Sequence, residues 1–323
     1  MREKVVLIPK DDSVMQTSWN IQGELKQQDN YDSKCWLEVT CPTEEETNYL
    51  VDELGVPNYF VQDIQDIDER ARIEHEEGWT LIILRIPYMK SATSRSPFIT
   101  VPLGVAFRKD TFITICYHDT HMMSDFTHHH KRKNHRFIDA VDIVFHLFLS
   151  SCVWYLKKLK VIKLRIDKAK REFEAKEIDN KDLVALSRLQ DSLIFFATSI
   201  QGNESLLTKL KFKLPIDALD AELIEDVTIE LNQARVSADI YSNILETTLD
   251  IYASIISNNM NSVMKMLTSF SIIMMFPTLI ASIYGMNLMN GMEQWTWGMP
   301  ITLLLSVAIT VTFWVYFKKK NWI

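Results

Sequence analysis

The stretch MNSVMKMLTSFSIIMMFPTLIASIYGMN, residues 260–287, decides how this chain folds. Beyond Lys265 it carries no charge, and the charge-free tract runs on from Met266 to Met292. Glu293 interrupts it, and a second uncharged tract extends from Gln294 to Phe317. A helix of about 20 apolar residues crosses the hydrocarbon core of a bilayer. Two spans are therefore predicted, near 266–284 and 300–317, with an outer loop over 285–299 and a basic tail over 318–323. Two buried helices of a large soluble core fit poorly, because the tracts are adjacent and flanked by Lys and Trp anchors.

Basic residues near span ends set orientation. Lys265 precedes the first span, Lys318, Lys319 and Lys320 follow the second, and the hairpin SIYGMNLMNGMEQWTWGMP (282–300) has neither Lys nor Arg. Both termini are expected in the cytosol and the hairpin outside, in a multi-pass protein of the cell membrane. Trp295 and Trp297 suit the outer interface; Trp314, Tyr316 and Trp322 suit the inner one. The first ten residues, MREKVVLIPK, lack the apolar core of a signal peptide.

The averages hide this asymmetry: over 323 residues the mean hydropathy is −0.04 and 24% of residues are charged. A net charge of −7 argues against nucleic acid as the main partner. Cys35, Cys41, Cys116 and Cys152 have no metal-binding spacing and are expected as free thiols. No phosphate-cradling glycine loop, nucleophile–base pair or zinc spacing occurs, so enzyme activity is unsupported.

Upstream of the membrane segment, residues 1–136 read as a cytosolic α/β domain. Strand-like runs occur at Val5–Ile8, Cys35–Thr40, Ala71–His75, Trp79–Ile86, Ile99–Phe107 and Thr111–Tyr117, with a tight turn at Lys109–Asp110. Thr43–Leu54 reads as a helix, capped by Thr43 and Glu46 in a capping box. Residues 137–265 read as long cytosolic helices: Phe137–Lys176, Lys181–Lys211 and, after a break at Pro215, a third from Asp217. From Asp217 to Tyr284 there is no Gly and one Pro, so nothing stops this helix at the membrane surface. The expected class is an α+β membrane protein in which a long helical stalk continues into the first of two C-terminal transmembrane helices. A continuous rod of roughly 100 Å, at about 1.5 Å per residue, can carry cytosolic changes to the bilayer.

Steps of three and four along the first span trace a seam: Ser257, Asn261, Met264, Thr268, Ser271, Met275, Thr278, Ser282 and Gly285. Small and hydroxylated residues serve equally to pack membrane helices together and to line a pore whose Met rings gate by dewetting. One such helix cannot enclose a channel, and the second span is apolar on all sides. A pore thus needs several copies, arranged most simply with closed cyclic symmetry.

The Gly285-Met286-Asn287 triplet at the outer end of the first span resembles the CorA family of divalent-cation channels. The 260–287 stretch, the ending YFKKKNWI (316–323) and DIDERARIEHEEGWTLIILRIP (66–87) extend the likeness over nearly the whole chain. The resemblance implies a funnel-shaped homopentamer that admits Mg²⁺, with Gly285, Met286 and Asn287 ringing the mouth. Asn261, Met264, Leu267, Met275 and Thr278 match pore-lining positions; Thr268, Ser271 and Ser282 share the seam. Lys318, Lys319 and Lys320 would form a basic collar. Asp63, in FVQDIQD, and Asp226 match carboxylates that bind regulatory Mg²⁺ between subunits. Gln62 stands where the family often has an acid, and Gly291-Met292-Glu293-Gln294 replaces its usual outer-loop sequence, leaving Glu293 to attract cations. Neutral amide and carbonyl oxygens can hold a hydrated Mg²⁺, which gives up water reluctantly, without trapping it. Inside-negative potential contributes about 4.6 kcal/mol per 100 mV for a divalent ion, so uptake needs no ATP.

The expectation is a passive Mg²⁺ uptake channel, self-associated in the lipid bilayer and closed by cytosolic Mg²⁺. The alternatives are a transporter of Co²⁺, Ni²⁺ or Zn²⁺ with the same architecture, and a membrane-anchored scaffold without transport. The segment HMMSDFTHHHKRKNHR (121–136) fits either a solvated linker or an incidental transition-metal site through His121, His128, His129, His130 and His135.

Overall fold

A computed structural model describes residues 16–20, 27–28, 35–90, 94, 96–109, 111–133, 135, 137–175, 180–214, 218–286 and 295–323. The run Val5–Ile8 and Pro215 lie outside the described residues, as does Asp110. Contacts divide the chain into two compact units, Met1–Thr247 and Thr248–Ile323.

In the first unit, β-branched and aromatic runs give strands β1 (Gln16–Asn20), β2 (Gln27–Gln28), β3 (Cys35–Thr40), β4 (Arg72–Glu76), β5 (Trp79–Met89), β6 (Phe98–Arg108) and β7 (Thr111–Cys116). They form one sheet in the order β2-β1-β3-β7-β6-β5-β4, antiparallel throughout except for the parallel pair β3–β7. Glu77 and Gly78, both at positive φ (51° and 79°), make the two-residue turn between β4 and β5. Successive positive φ values match the right-handed twist of the strands they join.

The strands of the sheet centre are buried on both sides because helices cover both faces. On one face lie α1 (Glu44–Asn48), which runs into a π-helical turn over Tyr49–Glu53, and α2 (Asn58–Gln65). The capping box at Thr43 forms: the Glu46 amide donates to the Thr43 hydroxyl (3.3 Å) and the Thr43 amide to the Glu46 carboxylate (2.9 Å). Phe60, Val61 and Ile64 of α2 join Leu37, Leu81, Ile83 and Ile113 in the core of that face. Contact is close enough that a Cβ on Gly104 would lie 2.1 Å from Ile64 Cδ1. The segment expected as a linker is instead a helix, α3 (His121–Arg132), because Met122, Met123, Phe126 and Thr127 bury one of its faces.

The other face is covered by the long helices α4 (Ala140–Ala175) and α5 (Asn180–Lys213). Their attachment is polar as well as apolar. β4 ends opposite Ile83, so Arg85 of β5 has no strand partner on that side, and its opposite neighbour on β6 is Pro102. Asn203 of α5 stands in for the missing strand, accepting from the Arg85 amide (3.0 Å) and donating to its carbonyl (2.8 Å). Tyr155 of α4 donates to the same carbonyl (3.1 Å). The Arg85 guanidinium, itself buried, donates to the carbonyls of Ile67, Glu69 and Thr100. Burial lowers its pKa from the usual arginine value.

Helix α6 (Ala218–Gly285) begins in this unit. Ile224, Val227, Leu231, Ala234, Ala238 and Leu245 are buried at helical spacing, and Arg235 pairs with Glu204 of α5 at 3.0 Å. The second unit contains the rest of α6 and α7 (Gly298–Lys319). There Phe276 stacks on Phe313, with ring centroids 4.6 Å apart, and Ser269, Ile273 and Phe317 are buried.

Replacing Asn203 with Ala leaves the buried Arg85 amide without a partner, while Tyr155 still donates to the carbonyl. An unpaired buried group costs about 1–3 kcal/mol, so N203A is expected to be roughly 2 kcal/mol less stable. Denaturant unfolding of the full chain in detergent, read by fluorescence, checks this.

Candidate ion pathway and regulatory carboxylates

Among the described residues, four helices, α4 to α7, are long and apolar enough to cross a membrane. In α4 and α5, 56% and 39% of the apolar window is already buried in protein, against 11% in α6 and 6% in α7. Apolar surface left uncovered to this extent is what a lipid-facing or oligomer-forming segment presents.

The seam predicted along the first span lies on α6. Asn261, Met264, Leu267, Thr268, Ser271, Met275, Thr278, Ser282 and Gly285 are all exposed, as is Met286 just beyond the helix end. At about 100° of rotation per residue, Thr268, Ser271, Met275, Thr278 and Ser282 centre about half a turn from Ser269, Ile273, Phe276 and Ile280. That second group includes the buried residues and the Phe276–Phe313 stack. The seam therefore faces away from α7.

Its hydroxyls are oriented by the helix itself. Thr268 donates to the Met264 carbonyl (2.7 Å), Ser271 to Leu267 (2.9 Å) and Thr278 to Met274 (2.8 Å). With the proton directed at the backbone, each oxygen keeps its lone pairs for donors outside the helix, such as the water shell of a cation. The helix passes Pro277 without a break. A Cβ at Gly285 would meet open space within 4 Å, so the chain by itself makes no steric demand for glycine there. Asn287 and Glu293 lie outside the described residues.

At the other end of α7, Lys318, Lys319 and Lys320 are exposed, and the Lys318 ammonium lies 4.8 Å from the centroid of Trp314. Cations here oppose the partial negative charge of the helix C-terminus. Trp322 turns back to stack on Phe317 at 5.6 Å.

The two carboxylates matched to regulation differ in surroundings. Asp63, on α2, accepts from Arg72 Nη2 at 2.6 Å. Arg72 also pairs with Glu69 and with Glu74, the latter at 2.9 Å. Burial opposes its charge, but the three carboxylates outweigh burial and raise its pKa. Asp226, on α6, is exposed. The Arg72 pairing was invisible in the sequence, since the two residues sit on a helix and a strand whose packing is nonlocal.

A profile described as CorA-like Mg²⁺ transporter protein matches residues 31–319. The cobalt/magnesium transport protein CorA of Methanocaldococcus jannaschii is 26% identical over 340 aligned residues, covering 99% of each chain. The magnesium transport protein CorA of Wolinella succinogenes is 25% identical over 310 residues, 89% of this chain and 91% of its own. The complete structure of the M. jannaschii CorA magnesium transporter superposes with a TM-score of 0.82 at 22% identity, covering 96% of this chain and 99% of that one.

Packing and water-lining make different predictions for the seam, and thiol chemistry separates them. Burial pushes Cys116 and Cys152 up to about 12 and raises Cys41, which limits background reaction from those native thiols. Cysteines introduced at Met264, Ser271 and Thr278 are expected to react with a charged thiol reagent from water at least tenfold faster than one at Ile273. Equal, slow reaction at all four positions would identify the seam as a packing surface.

Proposed function

The chain belongs to the CorA-like Mg²⁺ transporter family, and from that premise we propose that it is a passive Mg²⁺ uptake channel of the cell membrane, driven by the membrane potential. Copies of the chain associate, as a homopentamer in our reading, with the seam of α6 facing the axis and α7 facing lipid. Membrane crossing is assigned to 266–284 of α6 and 300–317 of α7, with both termini and Lys318–Lys320 in the cytosol. Helices α4 and α5 stay outside the bilayer. The observation that carries this reading is the uncovered polar seam directed away from α7.

Selection is assigned to Gly285, Met286 and Asn287. The open space around Gly285 in one chain means that any requirement for glycine arises where copies approach one another. Amide and carbonyl oxygens contacting the ion's water would hold Mg²⁺ weakly enough for release. Glu293 adds one attracting charge per chain. Inside, the hydroxyl oxygens of Thr268, Ser271 and Thr278 alternate with the thioethers of Met264 and Met275, and Asn261 lies near the inner end.

Regulation is assigned to Mg²⁺ bridging Asp63 and Asp226 of adjoining copies. Empty, the carboxylates repel; bridged, they hold the copies together and close the pore. Because Arg72 already engages Asp63, the ion has to displace a guanidinium, which weakens its binding. A second reading, Co²⁺ transport, draws on the cobalt/magnesium name of the M. jannaschii relative and on the soft Met side chains of the seam.

In proteoliposomes with an inside-negative potential, Mg²⁺ uptake by Asn287→Ala is expected to fall at least tenfold. Unchanged uptake would remove the selectivity role, and preferential block of Mg²⁺ flux by low Co²⁺ would favour the second reading. For regulation, Mg²⁺ should protect the cytosolic unit from protease. Asp226→Ala should need several-fold more Mg²⁺ for half-protection and Arg72→Ala several-fold less. Identical protection curves for all three proteins would discard the site.

A further inference from the structure

Three histidines outside the ion pathway converge where α3 meets α4. His130 stands at the C-terminal end of α3, His135 in the connection, and His146 on α4. Each can offer one nitrogen such that the three nitrogens lie within 4.8 Å of one another. The rings stand 5.2 Å (His130–His135), 5.3 Å (His130–His146) and 4.6 Å (His135–His146) apart, centroid to centroid. Phe137 contacts all three, at 5.2, 5.0 and 5.6 Å, and gives the cluster an apolar floor.

Hydrogen bonding decides the tautomers. His130 Nδ1 lies 2.9 Å from the Phe126 carbonyl, which can only accept, so Nδ1 carries the proton and Nε2 the lone pair. His146 Nδ1 lies 3.0 Å from the Asp142 carbonyl and 2.9 Å from its carboxylate, both acceptors, so Nδ1 carries a proton there too and Nε2 is the nitrogen left outside these bonds. Asp142 is fixed in turn by the Ile138 amide, which donates to its second oxygen at 2.9 Å. Burial opposes the charge on Asp142, but the bonds from His146 and the Ile138 amide outweigh it and hold the carboxyl below its usual range. His135 Nε2 is buried and has no hydrogen-bond partner among the described residues. Burial lowers both His130 and His135.

Clustered imidazole nitrogens, one ring backed by a carboxylate that orients it and raises its basicity, are the arrangement that binds borderline transition metals. We propose that His130, His135 and His146 form a binding site for a divalent transition-metal ion, Zn²⁺ foremost, with Asp142 as the positioning residue behind His146. Three nitrogen ligands leave a fourth position for water or an anion from the adjoining cleft of ≈490 Å³, lined in part by His129, Trp154 and Lys157. Lys157 there is paired with Asp125 at 3.3 Å, which offsets its repulsion of a cation. The donor set excludes Mg²⁺, which takes oxygen ligands and keeps its water. All four residues lie in the unit Met1–Thr247, so the site does not depend on the transport reading.

The test uses the untagged full chain in detergent, equilibrated with Zn²⁺ in the presence of excess Mg²⁺ to occupy oxygen sites, and measures bound Zn²⁺ by elemental analysis. About one tightly held Zn²⁺ per chain is expected. Affinity should fall at least tenfold in His135→Gln and in His146→Gln, and roughly 10–100-fold in Asp142→Asn. His128→Gln, an exposed neighbour outside the trio, should bind as the wild type does. With Co²⁺ as probe, the wild type should develop the intense visible absorption of a four-coordinate ion, and His135→Gln should not. His135, half-buried and in a connection, carries the reading should the His146 variant not fold. No tightly held Zn²⁺ in the wild type overturns the proposal, and so does an equal loss in His128→Gln.

Discussion

Backbone N–H and C=O groups in hydrocarbon must find partners inside the protein, since lipid supplies none. Helix α6 meets that demand by running unbroken from Ala218 to Gly285, through Pro277. The polarity of the seam depends on the same rule. Thr268, Ser271 and Thr278 turn their protons onto carbonyls one turn back, so hydroxyls can sit in an apolar segment without an orphaned donor. Only the outward-facing oxygens remain to be satisfied. Lipid cannot do so, which leaves water, an ion's hydration shell or a neighbouring helix. An exposed stripe of this kind suits a face turned to water or to a neighbouring helix, which is how the proposed association would use it.

The division of labour around α6 follows from which neighbour covers which face. Helix α7 takes the side of Ser269, Ile273 and Phe276, where a small residue lets the helices approach and the Phe276–Phe313 stack fills the space beside it. Helices α4 and α5 also contain stretches apolar enough to cross a membrane, though less apolar than those of α6 and α7 (mean hydropathy 1.3 against 1.8 and 1.9), and much of that surface is buried in protein. Their attachment through Asn203 and Tyr155 to Arg85 is a buried polar arrangement that a membrane-inserted helix would have no reason to keep.

Much of this was legible in the sequence where one physical signal dominated. The absence of charge over 266–292 and 294–317 located α7 and the end of α6, and the three–four step located the seam. β3 and β7 were readable because their β-branched runs are short and bounded by turn residues. Helix α3 was not, because its buried stripe contains Thr127 and His130, which read as polar until Phe126 and Phe137 are seen packed against the histidine. Helix α2 was missed for a related reason: eight residues give too few turns for Phe60, Val61 and Ile64 to stand out as a stripe. Arg85 reads as a surface residue, and only nonlocal packing supplies the three carbonyls that let it be buried. The parallel pairing of β3 with β7, across most of the α/β fold, has no local signature at all.

In the proposed regulation, Asp63 is a paired carboxylate that a divalent ion would have to capture from Arg72. Arg72 engages three acids, so an ion that captures Asp63 leaves the guanidinium with Glu69 and Glu74 and does not strand a buried cation. Displacement is therefore inexpensive for Arg72, while the ion gains a carboxylate that was competed for. Weak, competed binding is what a sensor of an abundant ion needs, because a tight site would stay occupied at every cytosolic concentration. The histidine cluster has the opposite character: nitrogen donors, a fixed carboxylate behind one of them, and an apolar floor. Oxygen donors in competition respond to an abundant hard cation, and preorganised nitrogen donors to a scarce borderline one. Two separate donor sets, as proposed, would let one chain distinguish such ions by chemistry, with neither site having to reject the other's ion by size.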